Sequence, residues 1–185
     1  MQPLFETERL YAYVSTIGLA KHLLAYESRN REAFRPFSVT YQSSYYTLSS
    51  LEDVCSRQAY LYGQRRMLPL LFFSKQEQRH VLGTVYLNHI VWGVNLSAKI
   101  GYSIDHAFQR QGYGNEAVSS VIEYAFNTMK LHRIEANIMR ANEASIHLAT
   151  SLGFSCEGVS KSYLYLNGRW EDHLRYALCN ERVRP

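Results

Sequence analysis

The strongest constraint in this chain is a strand, a glycine loop and a helix in direct succession. Ile100-Gly101-Tyr102-Ser103-Ile104 has the β-branched and aromatic content of a strand. It leads into Gln109-Arg110-Gln111-Gly112-Tyr113-Gly114. Ala117, Val118, Val121, Ile122, Ala125, Phe126 and Met129 then recur at three and four residues, the period of an amphipathic helix. Such a junction gathers backbone N–H groups at the positive end of a helix dipole. Gly112 and Gly114 let a phosphate reach that backbone, and Arg110 adds charge. The segment Gln109 to Gly114 is therefore expected to hold an anion.

The same glycines, read as Gly112-x-Gly114-x-x-Ala117, also satisfy the dinucleotide fingerprint, with Glu135 near the place of a ribose-binding acid. A dinucleotide domain needs a further parallel half. Only some fifty residues follow, and they contain Asn167-Gly168, a pair suited to the type I′ turn of an antiparallel hairpin. The dinucleotide reading is set aside.

Upstream, Glu8 to Val14 alternates as a strand, and helices are expected over about 19–27 and 48–62. Pro36 breaks the pattern between them and Gly63 stops the second. Residues 68–73, 81–91 and 99–104 read as an antiparallel meander with turns at 76–80 and 92–98. Ile134 to Met139 is a short strand. A helix over 142–152 follows, with Asn142 as N-cap and Gly153 as terminator. The last strands are expected at 163–166 and 170–178, on either side of Asn167-Gly168. The order is mixed α+β, and 185 residues without linker or repeat suggest one domain, 1–185.

Composition narrows the partners. A formal charge of +4 with scattered basic residues suits an anionic small molecule and lacks the dense stripe of a nucleic-acid binder, so no direct DNA binding is expected. Cys55, Cys156 and Cys179 form no C-x-x-C and read as reduced thiols of a cytoplasmic protein. The apolar run 67–73 is too short for a membrane span, and no secretory pattern opens the chain, so a soluble, unprocessed protein is expected. The histidines show no metal-ligand spacing, and no metal is expected.

In this context Gln109 to Gly114 resembles the acetyl-coenzyme A loop of the GNAT superfamily, Q/R-x-x-G-x-G/A. Asn142-x-x-Ser145, Leu152-Gly153-Phe154, Glu157-Gly158 and the run from Asn167 to His173 are similar to the Rim-type ribosomal-protein N-terminal alanine acetyltransferases. Thr7-Glu8-Arg9-Leu10, the segment 30–37 and Asn88 agree with it. The resemblance implies a GNAT acyl-CoA N-acyltransferase fold, with a mixed, mostly antiparallel, splayed sheet flanked by helices. It implies acetyl-CoA as cosubstrate, entering between the strands that end near Ile104 and Met139. Backbone groups of Tyr102, Ser103 and Ile104 would line pantetheine and the acetyl carbonyl. Gln109, Arg110, Gln111, Gly112, Tyr113, Gly114 and Asn115 would hold the pyrophosphate end. The implied acceptor is the N-terminal amine of a protein or peptide, possibly ribosomal.

Asn142 either caps its helix or bonds to pantetheine. Many GNAT enzymes place an acidic tyrosine where Ala149 stands here, so Ser145 is the replacement that the Rim-type resemblance suggests, unless it is a small residue chosen for packing. No base is assigned. Glu135, Asp105, Glu171 and Asp172 are each open to reading as surface charges or caps, and a water relay held by Asn88 or backbone carbonyls is a substitute. An α-amine, with pKa near 7.7–8.0 against about 10.4 for lysine, needs little help to react as a free base. Phe34 and Phe37, with Pro36, Tyr41 and the hairpin tyrosines, are open to two readings, aromatic core packing for most of them or an acceptor wall. A small-molecule amine acetyltransferase and a non-catalytic acyl-CoA-binding regulator are the alternatives.

Overall fold

The computed structural model describes residues 2–76 and 80–182. Its strands are β1 (Phe5–Glu6), β2 (Leu10–Val14), β3 (Leu68–Ser74), β4 (Val81–Val91), β5 (Ser97–Ile104), β6 (Arg133–Met139), β7 (Ser155–Leu166) and β8 (Arg169–Cys179). They form one open sheet in the order β1-β2-β3-β4-β5-β6-β8-β7. Neighbours run antiparallel except β5 and β6. The helices are α1 (Ala20–Phe34), α2 (Leu48–Gly63), α3 (Tyr113–Asn127) and α4 (Glu143–Ser151).

The unbroken apolar run of β3 belongs to a strand covered on both faces, as such runs require. Leu70 and Phe72 join Val118, Val121 and Ala125 of α3 in one core. Leu71 and Phe73 point the other way, into a second core with Leu23 and Tyr26 of α1 and Leu51 and Cys55 of α2. The helix pairs thus lie on opposite faces of the sheet.

Two elements exceed the sequence expectation. α1 runs seven residues past Glu27, through a stretch with no apolar stripe, because tertiary contacts use its polar groups. Asn30 is buried, donates to the Tyr26 carbonyl and accepts from the His106 N–H, while Arg29 pairs with Asp105. β7 begins at Ser155, eight residues before its expected start. That part is polar and largely exposed, lies at the sheet edge and shifts register twice, so it carries little alternation to read. The Asn167-Gly168 turn has both residues at positive φ, 51° and 89°, as a type I′ turn requires. Of the expected turn at 76–80, residues 77–79 lie outside the described residues.

One irregularity shapes the molecule. β5 and β6 pair only as Ser97↔Arg133, Ala98↔Ile134 and Lys99↔Glu135, and then part. From Ile100 to Ile104, β5 keeps β4 on one side and has no strand on the other.

Candidate active site

The glycine loop runs from β5 into α3. Gly112 is the N-cap of α3 at φ +83°, a conformation other residues reach only with strain, and no side chain caps this end. The first-turn N–H groups thereby have no side-chain acceptor, an arrangement suited to an anion. Arg110 is also left-handed, at φ 59°. A Cβ on Gly114 would come within 3.4 Å of Ile104 and 3.5 Å of Leu148, so the loop packs closely between β5 and α4.

Behind the loop, Glu116 in the first turn of α3 accepts from the Thr7 hydroxyl, from the Arg9 N–H at 2.8 Å and from Arg9 Nε at 2.6 Å. Burial alone would raise the Glu116 pKa; the Thr7 and Arg9 bonds outweigh it and hold the carboxyl below its ordinary value. Arg9 also donates to the Gln111 carbonyl and lies over the Tyr113 ring. The Thr7-Glu8-Arg9-Leu10 segment therefore acts as a brace for the loop.

On the other wall, Asn142 Oδ1 caps α4 by accepting from the Ser145 N–H at 3.1 Å. Ser145 Oγ donates to the Tyr102 hydroxyl at 2.9 Å, which in turn donates to the Ser145 carbonyl at 3.1 Å. Burial raises the Tyr102 pKa, which the Ser145 bond only partly offsets, so the phenol keeps its proton. Ala149 is buried. A phenol thus reaches α4 from the sheet, and the sequence reading, which credited Tyr102 with backbone contacts alone, missed it.

Loop, open β5 edge and α4 line one side of a cleft of about 2220 Å³. Its other side is aromatic. Phe34 and Phe37 line it with Tyr41, Tyr45 and Tyr86, and the Tyr41 and Tyr45 rings stack at 3.9 Å. Tyr86 lies across β5 where only a glycine fits, since a Cβ on Gly101 would meet the ring at 2.5 Å. Below them Ser103 Oγ bonds the Tyr26 hydroxyl at 2.8 Å and Thr84 at 3.0 Å.

The structure brings Tyr102, Ser103, Ile104, Gln109, Arg110, Gly112, Gly114, Asn115, Asn142, Ser145, Phe34 and Phe37 to this one cleft. Gln109 Nε2 donates to the Ile104 carbonyl at 3.1 Å, tying loop to strand. Gln111 and Tyr113 face away from the cleft, toward Ala107 and Arg9. Asn88 is also outside its wall; its Oδ1 is buried without a hydrogen-bond partner among the described residues, across from Lys99.

The acids weighed as bases are all engaged: Asp105 with Arg29, Glu135 with Arg133, Glu171 with Arg169 and Asp172 with Lys161. Glu27, on the cleft side of α1, was not considered. Burial among the aromatic rings pushes its carboxyl up to about 7. No signal in a helical run of mixed charges would have singled it out. Among the described residues no group of His, Cys, Asp and Glu is placed to hold a metal, and no helix is long and apolar enough to cross a membrane.

An uncapped helix N-terminus and an open strand edge thus lie together on one cleft. Residues 20–155 match the acetyltransferase (GNAT) domain, and the chain belongs to that family of N-acetyltransferases. It is 34% identical over 161 residues to the probable N-acetyltransferase YjcK of Bacillus subtilis, covering 87% of this chain and 88% of that one. The structure of ribosomal-protein-S5-alanine acetyltransferase from Vibrio fischeri superposes with a TM-score of 0.92 at 28% identity, over 98% of both chains. RimJ of Mycobacterium smegmatis, in complex with CoA-disulfide, superposes with a TM-score of 0.87 at 23% identity, over 95% of this chain and 84% of that one.

Proposed function

We propose that this chain, acting as a single domain, transfers the acetyl group of acetyl-CoA to the N-terminal α-amine of a protein, preferably one that begins with alanine or serine and possibly a ribosomal protein. The observation that carries this reading is the cleft itself. At about 2220 Å³ it exceeds the roughly 300–1,000 Å³ of ordinary small-molecule sites, leaving room for a chain end beside the cosubstrate. Its charge favours a peptide over a polyamine, because Glu27, Glu32 and Glu143 are set against Arg29, Arg31, Arg35 and Arg110. The relative from Vibrio fischeri, named for alanine acetylation of a ribosomal protein, supports the same choice. The exposed free thiols Cys156 and Cys179 suit a reducing, cytoplasmic setting.

The residues present fit acetyl-CoA, and a relative of the same fold has been seen with a coenzyme A derivative. In this reading the α3 N-terminus with Arg110 and Asn115 holds the pyrophosphate, and the unpaired edge of β5 takes the pantetheine amides. Acetyl-CoA brings the activated thioester. A β5 N–H near Ile104 donates to the carbonyl oxygen as charge builds there. Ser145 turns its hydroxyl from Tyr102 to the departing sulfur and supplies the proton it needs, and the Tyr102 phenol, 2.9 Å away, can then turn from the Ser145 carbonyl to replace that proton.

The test is an acetylation screen of Ala- and Ser-starting peptides, lysine peptides and small amines, with the acetyl group located by mass spectrometry. Peptides with a free N-terminus are expected to be modified there, and blocking that terminus is expected to abolish turnover even where lysine is present. Acetyl on lysine of a blocked peptide rules the reading out. Selective turnover of small amines supports the detoxification alternative, and coenzyme A binding without turnover of any amine supports a regulator.

A further inference from the structure

We propose that Glu27 is the general base that receives the acceptor ammonium and takes its proton. This rests on the acetyltransferase reading above but not on which amine is the acceptor. Four observations on geometry carry it. Glu27 lines the cleft on the acceptor side, opposite the glycine loop and α4. It follows Tyr26, whose hydroxyl bonds Ser103 on the strand that borders the thioester site. It has no hydrogen-bond or ion-pair partner among the described residues, while every acid weighed from the sequence is paired. Finally, the groups around it are rings with rims of hydroxyl: Tyr41 and Tyr45 before α2 and Tyr86 on β4. An ammonium entering there meets aromatic rings and the unpaired Glu27 carboxylate, with Arg31 and Glu32 further along the same wall.

The surrounding charges allow this assignment. On α1 itself the titratable or charged neighbours are Tyr26, Arg29, Arg31 and Glu32. From the segment before α2 come Tyr41, Tyr45 and Tyr46, from α2 Cys55, from β4 Tyr86, and beyond β5 Asp105 with its partner Arg29. The five tyrosines are pushed upward, chiefly by burial, and so keep their protons at neutral pH. His106 and His147 line the opposite side, after β5 and on α4. The half-buried carboxyl, raised toward neutrality, is matched to an amine whose own pKa is near 7.7–8.0.

The step balances. One proton passes from the ammonium to the Glu27 carboxylate, leaving a neutral amine and a carboxylic acid. The amine lone pair forms the C–N bond, and the C–S bond breaks with its electrons going to sulfur. The nitrogen gives up a second proton as the sulfur gains one, and Glu27 returns its proton to water. The products are the amide, the free thiol and one released proton.

The test compares wild type with Glu27→Gln, which keeps shape and removes the base, on whichever amine the screen selects. Near pH 7, kcat/KM is expected to fall by about tenfold, because about a tenth of an amine with pKa near 7.7–8.0 is already neutral there. The deficit shrinks toward pH 9, where the amine deprotonates without help. Acetyl-CoA affinity is expected to stay unchanged by calorimetry. A second readout needs no turnover: an Ala-starting peptide is titrated into the coenzyme A-loaded protein at pH 6 in buffers of different ionisation enthalpy. Wild type is expected to release a proton on binding and Glu27→Gln is not. No loss of rate, a loss that does not shrink with pH, or equal proton release from both proteins overturns the proposal. Turnover of lysine or of a polyamine with the same Glu27 dependence would reject the N-terminal acceptor and leave the base in place.

Discussion

Ser145 and Tyr102 exchange hydrogen bonds at the first turn of α4, and the direction of each bond sets what substitution should do. The serine hydroxyl gives its proton to the phenol and the phenol gives its own to the Ser145 carbonyl. Ser145→Ala removes a donor needed as the thioester breaks, so kcat is expected to drop about ten- to a thousand-fold, near or below the usual range for a general acid, with acetyl-CoA affinity nearly unchanged. Tyr102→Phe leaves Ser145 free to act and should cost less. Rates and calorimetry on both variants check the order, and full activity in Ser145→Ala would return that residue to packing. Glu27 brings a stability effect of calculable sign. Its folded-state pKa of about 7 lies above the ordinary 4.5, so the native state holds the proton more tightly and stability falls as pH rises from about 4.5 to 7. Glu27→Gln is thus expected to melt a few degrees higher than wild type at pH 8 and to match it near pH 4, read by thermal unfolding across that range. Ser145 was legible because its spacing from Asn142 is local. Glu27 was not, because the rings that bury it come from residues 41, 45 and 86, and no local pattern reports what a distant strand lays against a helix.

Elements explain why the glycines are where they are. Gly112 turns into α3 at φ +83° with the Arg9 guanidinium 3.2 Å from where a Cβ would stand. The arginine is a flexible neighbour, so the backbone term dominates, and Gly112→Ala is expected to cost about 1–2 kcal/mol of stability. Gly112→Val, which also blocks the approach to the N–H groups, should weaken acetyl-CoA far more than it weakens folding. Calorimetry beside denaturant unfolding separates the two, and a folded variant with full affinity would remove the loop from the site. Gly101 serves the opposite side of the cleft. Its α-carbon is the floor under Tyr86, so Gly101→Ala has to move the ring toward the acceptor space, at about 1–3 kcal/mol of overpacking. Acceptor KM should rise while the affinity for acetyl-CoA holds. The α3 stripe, the β3 run and the Asn167-Gly168 turn could all be read in advance, since period, continuous burial and positive φ each leave a local mark. The second half of α1 and the first half of β7 could not, because one is held by an ion pair and a hydrogen bond to the segment after β5 and the other is polar hairpin edge.

At the scale of the whole molecule, two segments far apart in the sequence meet at the cleft wall. The tip of the β7–β8 hairpin reaches the segment after α1: Asn167 Nδ2 donates to the Arg35 carbonyl at 2.8 Å, and Thr40 donates to Asn167 Oδ1. Phe37 lies between those anchors on the cleft wall. Asn167→Gly keeps a residue suited to φ 51° and deletes both bonds, so it tests the strut without breaking the turn. A higher KM for a peptide acceptor is expected, with kcat and melting temperature close to wild type. The parting of β5 from β6 has a further result. Three residue pairs join the five-stranded segment β1–β5 to the three-stranded segment β6–β8 within the sheet, which makes the join a place where opening fluctuations should concentrate. A molecule that wedges into the gap and is gripped from both sides adds its binding free energy to that join, about 2.7 kcal/mol at a hundredfold excess over Kd. Amide hydrogens in β6 and β8 that never touch coenzyme A should therefore exchange with deuterium more slowly as its concentration rises. Slowing confined to residues 100–114 would mean the segments open independently; slowing on both banks would make the cosubstrate a structural tie between the two half-sheets.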